Sequence, residues 1–391
     1  MLIPELIRWK DEMTGWRRHL HQHPETAFEE VATARFVADK LGAFGIEVHR
    51  GLAGTGVVGV LRSGSESALP AIGLRADMDA LAIQEANECD HRSKFEGKMH
   101  ACGHDGHTAM LLGAARYLAT TRRFRGTVYF IFQPAEENEG GGRRMVQEGL
   151  FERFPMDAVF GMHNIPGIPL GRFAVMPGPM MASFDVFEIL VQGRGSHAAM
   201  PHLGIDPIVV ASQLVLALNT VVSRNIDPIE SAVLSVTQLH AGETWNASPE
   251  TAVLRGTVRA FNDDVRCLIE RRIRELAEHV ASASGGRAEL RYERRYPPTI
   301  NDALRTQQAR GVIESVFGAD SLLNHAKPLM AAEDFAYMLN AKEGCYVWLG
   351  NGTGPRACPV HNPRYDFNDE LLPYGATYWA RLVESLLPGP P

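Results

Sequence analysis

A chain of 391 residues with 39 Lys and Arg against 46 Asp and Glu carries a formal charge of -7, which excludes the clustered basic surface that nucleic acid or an anionic membrane requires. The length exceeds what one hydrophobic core usually organises, so two domains are expected. Five scattered cysteines, an odd number, do not make a secreted disulfide framework.

The N-terminal stretch MLIPELIRWKDEMTGWRRHLHQHPE alternates apolar and charged residues at helical spacing and has no apolar signal-peptide core. It predicts a helix and, with the thiols, a cytoplasmic protein. A second helix is expected in TAFEEVATARFVADKLGAFG, ending at Gly42 or Gly45. Short apolar runs follow in TGVVGVLRSG, PAIGLRADMDAL, GTVYFIFQPAEE and DAVFGMHNIP, as in buried strands of an α/β sheet. Between them, HTAMLLGAARYLATTRRF and GGRRMVQEGLFERF read as helices.

From about Ser183 the pattern changes to long alternating strands, in SFDVFEILVQGRG, SAVLSVTQLHAG, TAVLRGTVRAF and RAELRYERRY. Two long helices lie among them, near 207–224 and 264–284. Polar residues interrupt the most apolar segment, PIVVASQLVLALNTVV, which fits a buried helix better than a membrane span. After Pro297 and Pro298 the α/β texture returns with ALRTQQARGVIESVFG, CYVWLG and GATYWARLVESLL. The expected architecture is therefore an α/β catalytic domain with a mixed central sheet flanked by helices (1–181 and 294–391), interrupted by an α+β module (182–293) of four antiparallel strands and two helices.

Chemistry concentrates in MHACGHDGH, residues 99–107. Cys102 and His104 could hold one metal or bridge two, and Asp105 suits a helix cap or first turn. By chemistry alone His100 and His107 are equally plausible ligands. In QPAEEN, Glu136 and Glu137 stand where an apolar strand ends, and adjacent carboxylates diverge, so one can bind metal while the other takes a proton from water. His163 in GMHN and His361 in CPVHNPRYDFND each follow another predicted strand. Cys102, His104, Glu137, His163 and His361 give five donors, too many for one tetrahedral site and suited to two ions sharing a bridge.

The ordered set LRADMDAL, MHACGHDGHTAMLLGAA, QPAEE, GMHN, GSHAAMPHLGIDPI, AAEDFAYML and HNPRYDFND resembles the dinuclear metallopeptidases and amidohydrolases related to aminoacylase and glutamate carboxypeptidase. The resemblance covers nearly the whole chain. It is narrowest to the branch of hippurate hydrolase, N-acetyl-diaminopimelate deacetylase and the indoleacetyl-amino acid hydrolases. It implies a phosphorylase/hydrolase-like catalytic fold with an inserted lid that forms a homodimer. It also implies two divalent ions, Mn or Zn with Co or Ni as alternatives, on Cys102 as bridge and His104, Glu137, His163 and His361.

By the same resemblance Glu136 is the general base, Asp77 a retained catalytic aspartate, His197 the group that polarises the substrate carbonyl, and Asn246 with Arg259 the grip on a substrate carboxylate. The chain departs from the branch at Ala82 and at Ala331 and Ala332, where Pro and Gly-Ser are usual, and loses no donor by it. The implied reaction is hydrolysis of the amide of a small N-acyl amino acid. Its alternatives are a di-metal dipeptidase or carboxypeptidase, an amidase using Cys102 as nucleophile, and a metal- or peptide-binding protein without catalysis.

Overall fold

The computed structural model describes residues 1–64 and 69–389, so the last two residues of the expected catalytic segment lie outside the described residues. The chain divides into two units. Met1–Met180, Ile300–Lys327 and Asp334–Pro391 form the first, and Met181–Thr299 with Pro328–Glu333 the second. The expected break at 293/294 falls inside strand Arg287–Tyr296, which stays with the second unit because it pairs along Phe184–Gln192.

In the first unit the sheet is mixed and seven-stranded. Its spatial order is Glu47–Leu52, Gly56–Ser63, Gly126–Gln133, Ala71–Asp77, Ala158–Pro166, Gly344–Gly352 and Phe173–Ala174. The four strands from Gly126–Gln133 to Gly344–Gly352 run parallel, so their carboxyl ends share one edge of the sheet, where ligands of open α/β sheets gather. Strand Ala71–Asp77 has a parallel neighbour on each side and every residue buried, Arg75 included. That burial explains its lack of polar alternation up to Arg75.

Helix His104–Thr121 is buried almost all round, as expected of a core helix. It packs against helices Lys10–Gln22, Val31–Ala43 and Leu372–Leu386 and against strand Ala71–Asp77. Its first residue is thereby fixed at the sheet's functional edge.

Two local expectations are corrected. Strand Glu47–Leu52 was invisible because EVHRGL is an edge strand, largely exposed and without an apolar run. The single helix expected in GGRRMVQEGLFERF is two, Gly141–Gln147 and Leu150–Arg153, broken by Gly149 at φ 89°.

The second unit holds an antiparallel sheet in the order Ala232–Ala241, Thr251–Ala260, Phe184–Gln192, Arg287–Tyr296. Alternate residues of Phe184–Gln192 face a core with Leu254, Leu214 and Ile269, supplied by the sheet and by helices Pro207–Asn225 and Asp263–Ala283. Asp206 and Asn262 cap these helices by accepting from Ile208 N and Val265 N. Helix Pro207–Asn225 is long and apolar enough to cross a membrane. Here it is an amphipathic cover, burying Val210, Ala211, Leu214, Leu218 and Val221 while Val209 and Leu216 stay exposed. The helix expected to be buried is thus buried along one side only.

Candidate metal centre

The loop ahead of helix His104–Thr121 turns through Gly103 at φ 98°, and a Cβ there would lie 2.4 Å from Asn164 Nδ2 and 2.6 Å from the Tyr365 hydroxyl. Only glycine fits, and the tight turn brings the Cys102 thiol and the His104 ring onto one site. The strand ends supply the rest. Glu136 and Glu137 follow strand Gly126–Gln133, His163 lies in Ala158–Pro166, and His361 occupies the loop after Gly344–Gly352 at φ 64°.

Donor atoms of Cys102, His104 and His163 lie within 4.8 Å of one another, as do those of Cys102, Glu137 and His361, so the thiol belongs to both groups. Cys102 Sγ is 3.3 Å from His163 Nε2, and His361 Nε2 is 3.1 Å from Glu137 Oε1. His104 Nδ1 donates to the Asp79 carbonyl at 2.9 Å, and His163 Nδ1 to the Asn164 carbonyl at 2.6 Å. Each bond leaves the Nε2 lone pair turned into the cluster, as a metal-binding histidine requires. Among the described residues His104 Nε2 is buried without a hydrogen-bond partner. A buried ring nitrogen left unpaired at a mixed sulfur, nitrogen and oxygen donor set fits divalent metal better than a protein-only network.

Charge accounts for the titration pattern. Burial opposes protonation of His104, yet Asp77 and Cys102 beside it raise its pKa well above the ordinary value. The Cys102 and Glu137 hydrogen bonds push His361 up to about 10. Burial raises the Cys102 thiol and, with neighbouring His107, holds His163 well below the usual histidine range. Protons on His104, His361 and the thiol are what a bound cation would replace.

The same hydrogen bonds separate the remaining histidines. His107 spends both nitrogens, Nδ1 donating to Asp77 Oδ1 at 2.6 Å and Nε2 accepting from Asn164 N at 3.0 Å. His100 is buried with both ring nitrogens unpartnered, but among the described residues it joins none of the donor groups. Asp77 sits beneath the site, bound to Arg75 Nη1 at 2.7 Å as well as to His107. Asp105 is a first-turn residue of the helix, as expected, rather than its cap, and its Oδ1 accepts from Gly106 N at 2.9 Å. Its Oδ2 meets His21 Nδ1 at 2.8 Å, and His21 Nε2 reaches Glu85 at 3.2 Å.

Some supporting residues were missed from sequence. Asp79 braces two donors at once, its carbonyl holding His104 and its Oδ2 accepting from Glu137 N at 2.9 Å. Its only signal was the second aspartate of LRADMDAL. Asp334, from the EDF motif, donates its backbone N–H to Glu136 Oε1 at 3.3 Å, and its own carboxylate is held by Arg75, Gln133 and Gly142.

The other expected residues lie in the second unit. His197 is exposed in the short strand Ser196–His197 that pairs with Ala247–Ser248, next to exposed Asn246, whose carbonyl accepts from Ala198 N at 2.9 Å. Arg259 is half-buried, its guanidinium 4.0 Å from the centre of the Phe184 ring. Of the remaining thiols, Cys345 is buried and Cys267 exposed.

Comparison with known proteins places the chain in context. The model for peptidase family M20/M25/M40 matches residues 73–385. Hippurate hydrolase of Campylobacter jejuni is 42% identical over 382 residues, covering 98% of each chain. N-acetyl-L-cysteine deacetylase of Bacillus subtilis is 41% identical over 87% of this chain and 80% of its own. A dinuclear metal-binding M20 peptidase of Bacillus subtilis superposes with a TM-score of 0.85 at 34% identity, covering 97% of this chain and 99% of that one.

Proposed function

The chain belongs to peptidase family M20/M25/M40 and is a metal-dependent hydrolase of the amide bond in N-acyl amino acids, and we propose that its reaction runs on the residues assembled above. Cys102, His104, Glu137, His163 and His361 would hold two divalent ions, Cys102 belonging to both donor groups. The sharing of its sulfur by both donor groups is the observation that carries this reading. When bound, the ions supply Lewis acidity at the scissile carbonyl and lower the pKa of the attacking water. Imidazole and thiolate suit Zn, and the carboxylate admits Mn.

Glu136, oriented by the Asp334 amide, accepts the proton of the attacking water and returns it to the departing amine. Asp77 acts through its neighbours, fixing His107 and Arg75 below the site. His197 donates to the carbonyl oxygen as negative charge develops there. Arg259 and Asn246 take the free carboxylate, the guanidinium by paired N–H···O bonds. A benzoyl-type acyl group is the first candidate, since hippurate hydrolase of Campylobacter jejuni is 42% identical over 98% of both chains.

The second unit is the lid and the dimer contact. Leu216 and Val209 are exposed on its helix, and strand Ala232–Ala241 stands at the sheet edge, a combination that a second copy would cover. A fall to monomer mass in Leu216→Glu, measured by sedimentation, is expected. Free thiols at all five cysteines suit a reducing cytoplasm, to be checked by fractionation.

The deciding experiment compares wild type with Glu136→Gln on N-benzoylglycine. Chelation is expected to abolish wild-type activity and Mn or Zn to restore it. Glu136→Gln should keep two metals per chain and lose roughly 100-fold or more in kcat. Activity resistant to chelation would instead favour Cys102 as nucleophile, and normal turnover in Glu136→Gln would remove the base.

A further inference from the structure

The loop that delivers Glu136 carries a strained residue. Ala135 is wholly buried at φ 54°, in the left-handed region that a residue with a Cβ enters only when its surroundings impose it. Its carbonyl accepts from Gly141 N at 2.9 Å, and Gly141 is so tightly placed that a Cβ would sit 1.8 Å from the Pro134 carbonyl oxygen. On the other side the Ala135 amide donates to Glu30 Oε1 at 2.9 Å.

Glu30 comes from the segment TAFEE, far from the donor motifs in sequence. Its side chain is fully buried, and both oxygens are engaged. Oε1 also accepts from Phe28 N at 3.0 Å, and Oε2 from the Thr55 hydroxyl at 2.6 Å. Burial pushes this carboxyl up to about 7. A buried acid is kept here at a cost that an apolar side chain would avoid. Its hydrogen bonds go to three segments, and one of them is the residue immediately before the base.

We propose that Glu30 is a positioning residue for Glu136: by holding the Ala135 amide it locks the left-handed kink that aims the following side chain, and so sets the catalytic rate without touching substrate or metal. The inference rests on the reading of Glu136 as general base.

The test uses metal-loaded protein, with kcat, KM and metal content measured for Glu30→Ala, Glu30→Gln, Ala135→Gly, Glu30→Ala combined with Ala135→Gly, and Glu136→Gln. Glu30→Ala is expected to lower kcat by about 10- to 100-fold, the scale of a small misplacement of a reacting group, with KM and metal content nearly unchanged. Glu30→Gln keeps an oxygen for the amide and should stay within about fivefold of wild type. Glycine enters the left-handed region freely, so Ala135→Gly should recover roughly tenfold of the loss in the double variant.

Wild-type kcat in Glu30→Ala, a loss that merely follows metal content, or a defect that neither glutamine nor the glycine change relieves would each overturn the proposal. If Glu30→Ala does not yield folded protein, Glu30→Asp carries the same comparison, its carboxylate withdrawn by one methylene. Glu136→Gln separates the two readings: if it is active, the base assignment falls, whereas an inactive Glu136→Gln beside a normal Glu30→Ala removes only the positioning role.

Discussion

Replacing Gly103 by alanine should cost the protein its metal before it costs the fold. An alanine held at φ 98° pays about 1–2 kcal/mol for the left-handed region. Its methyl would stand 2.4 Å from Asn164 Nδ2, and this atom donates to the Cys102 carbonyl at 2.7 Å. Displacing Asn164 leaves buried polar groups unpaired, at about 1–3 kcal/mol. The sum is roughly 2–5 kcal/mol, felt by the arrangement that aligns Cys102 with His104 and His163. If the loop relaxes instead of paying it, metal affinity falls by roughly one and a half to three and a half orders of magnitude, at 1.4 kcal/mol per tenfold.

The assay is metal content after dialysis against a graded chelator, with far-UV dichroism and Tm on the same samples. The expected result is native secondary structure, a Tm lowered by several degrees and metal lost at far weaker chelation. A Gly103→Ala protein that retains wild-type metal content and Tm would refute the argument, because the turn would then tolerate a Cβ.

Two further outcomes are expected. His21 is fully buried between Asp105 and Glu85; burial opposes its charge, but the hydrogen bonds to Asp105 and then Glu85 raise it to about 9. A raised histidine stabilises fully below its unfolded value near 6.5 and loses that contribution as pH rises through 9, on the order of 3 kcal/mol in all. The wild-type Tm should therefore fall between pH 6.5 and 9 with metal kept saturating, and His21→Gln should be lower and flatter over that range; parallel profiles would show that His21 is neutral. Arg259→Ala should raise KM for N-acyl amino acids about 10- to 100-fold with kcat little changed, the loss of a charge-assisted carboxylate contact. Equal KM in steady-state kinetics would remove Arg259 from the carboxylate.

What was legible in the sequence follows from which interactions are local. Strands Ala71–Asp77 and Gly344–Gly352 announced themselves because both are buried throughout and leave no room for polar alternation. Strand Glu47–Leu52 did not, because its partner lies on one side only and its exposed residues carry no pattern. The donor motifs were visible for a related reason. A parallel sheet collects its strand ends on one edge, so Glu137, His163 and His361 could be placed together once their strands were recognised.

The choice among His100, His104 and His107 was not legible, since the three share one short stretch and one chemistry. It depends on what the second ring nitrogen touches. His104 has the Asp79 carbonyl on Nδ1 and nothing on Nε2, whereas His107 is used at both atoms by Asp77 and Asn164. Those partners come from strands Ala71–Asp77 and Ala158–Pro166 and the turn after the first, tens of residues away. The distinction among these histidines is thus a property of hydrogen bonds made at long range: a histidine is available as a metal donor when the fold occupies one nitrogen and turns the other into the donor cluster. By that argument Asp79 matters as much to the site as any donor it orients, and the sequence motif that contains it is read for the wrong aspartate if only Asp77 is counted.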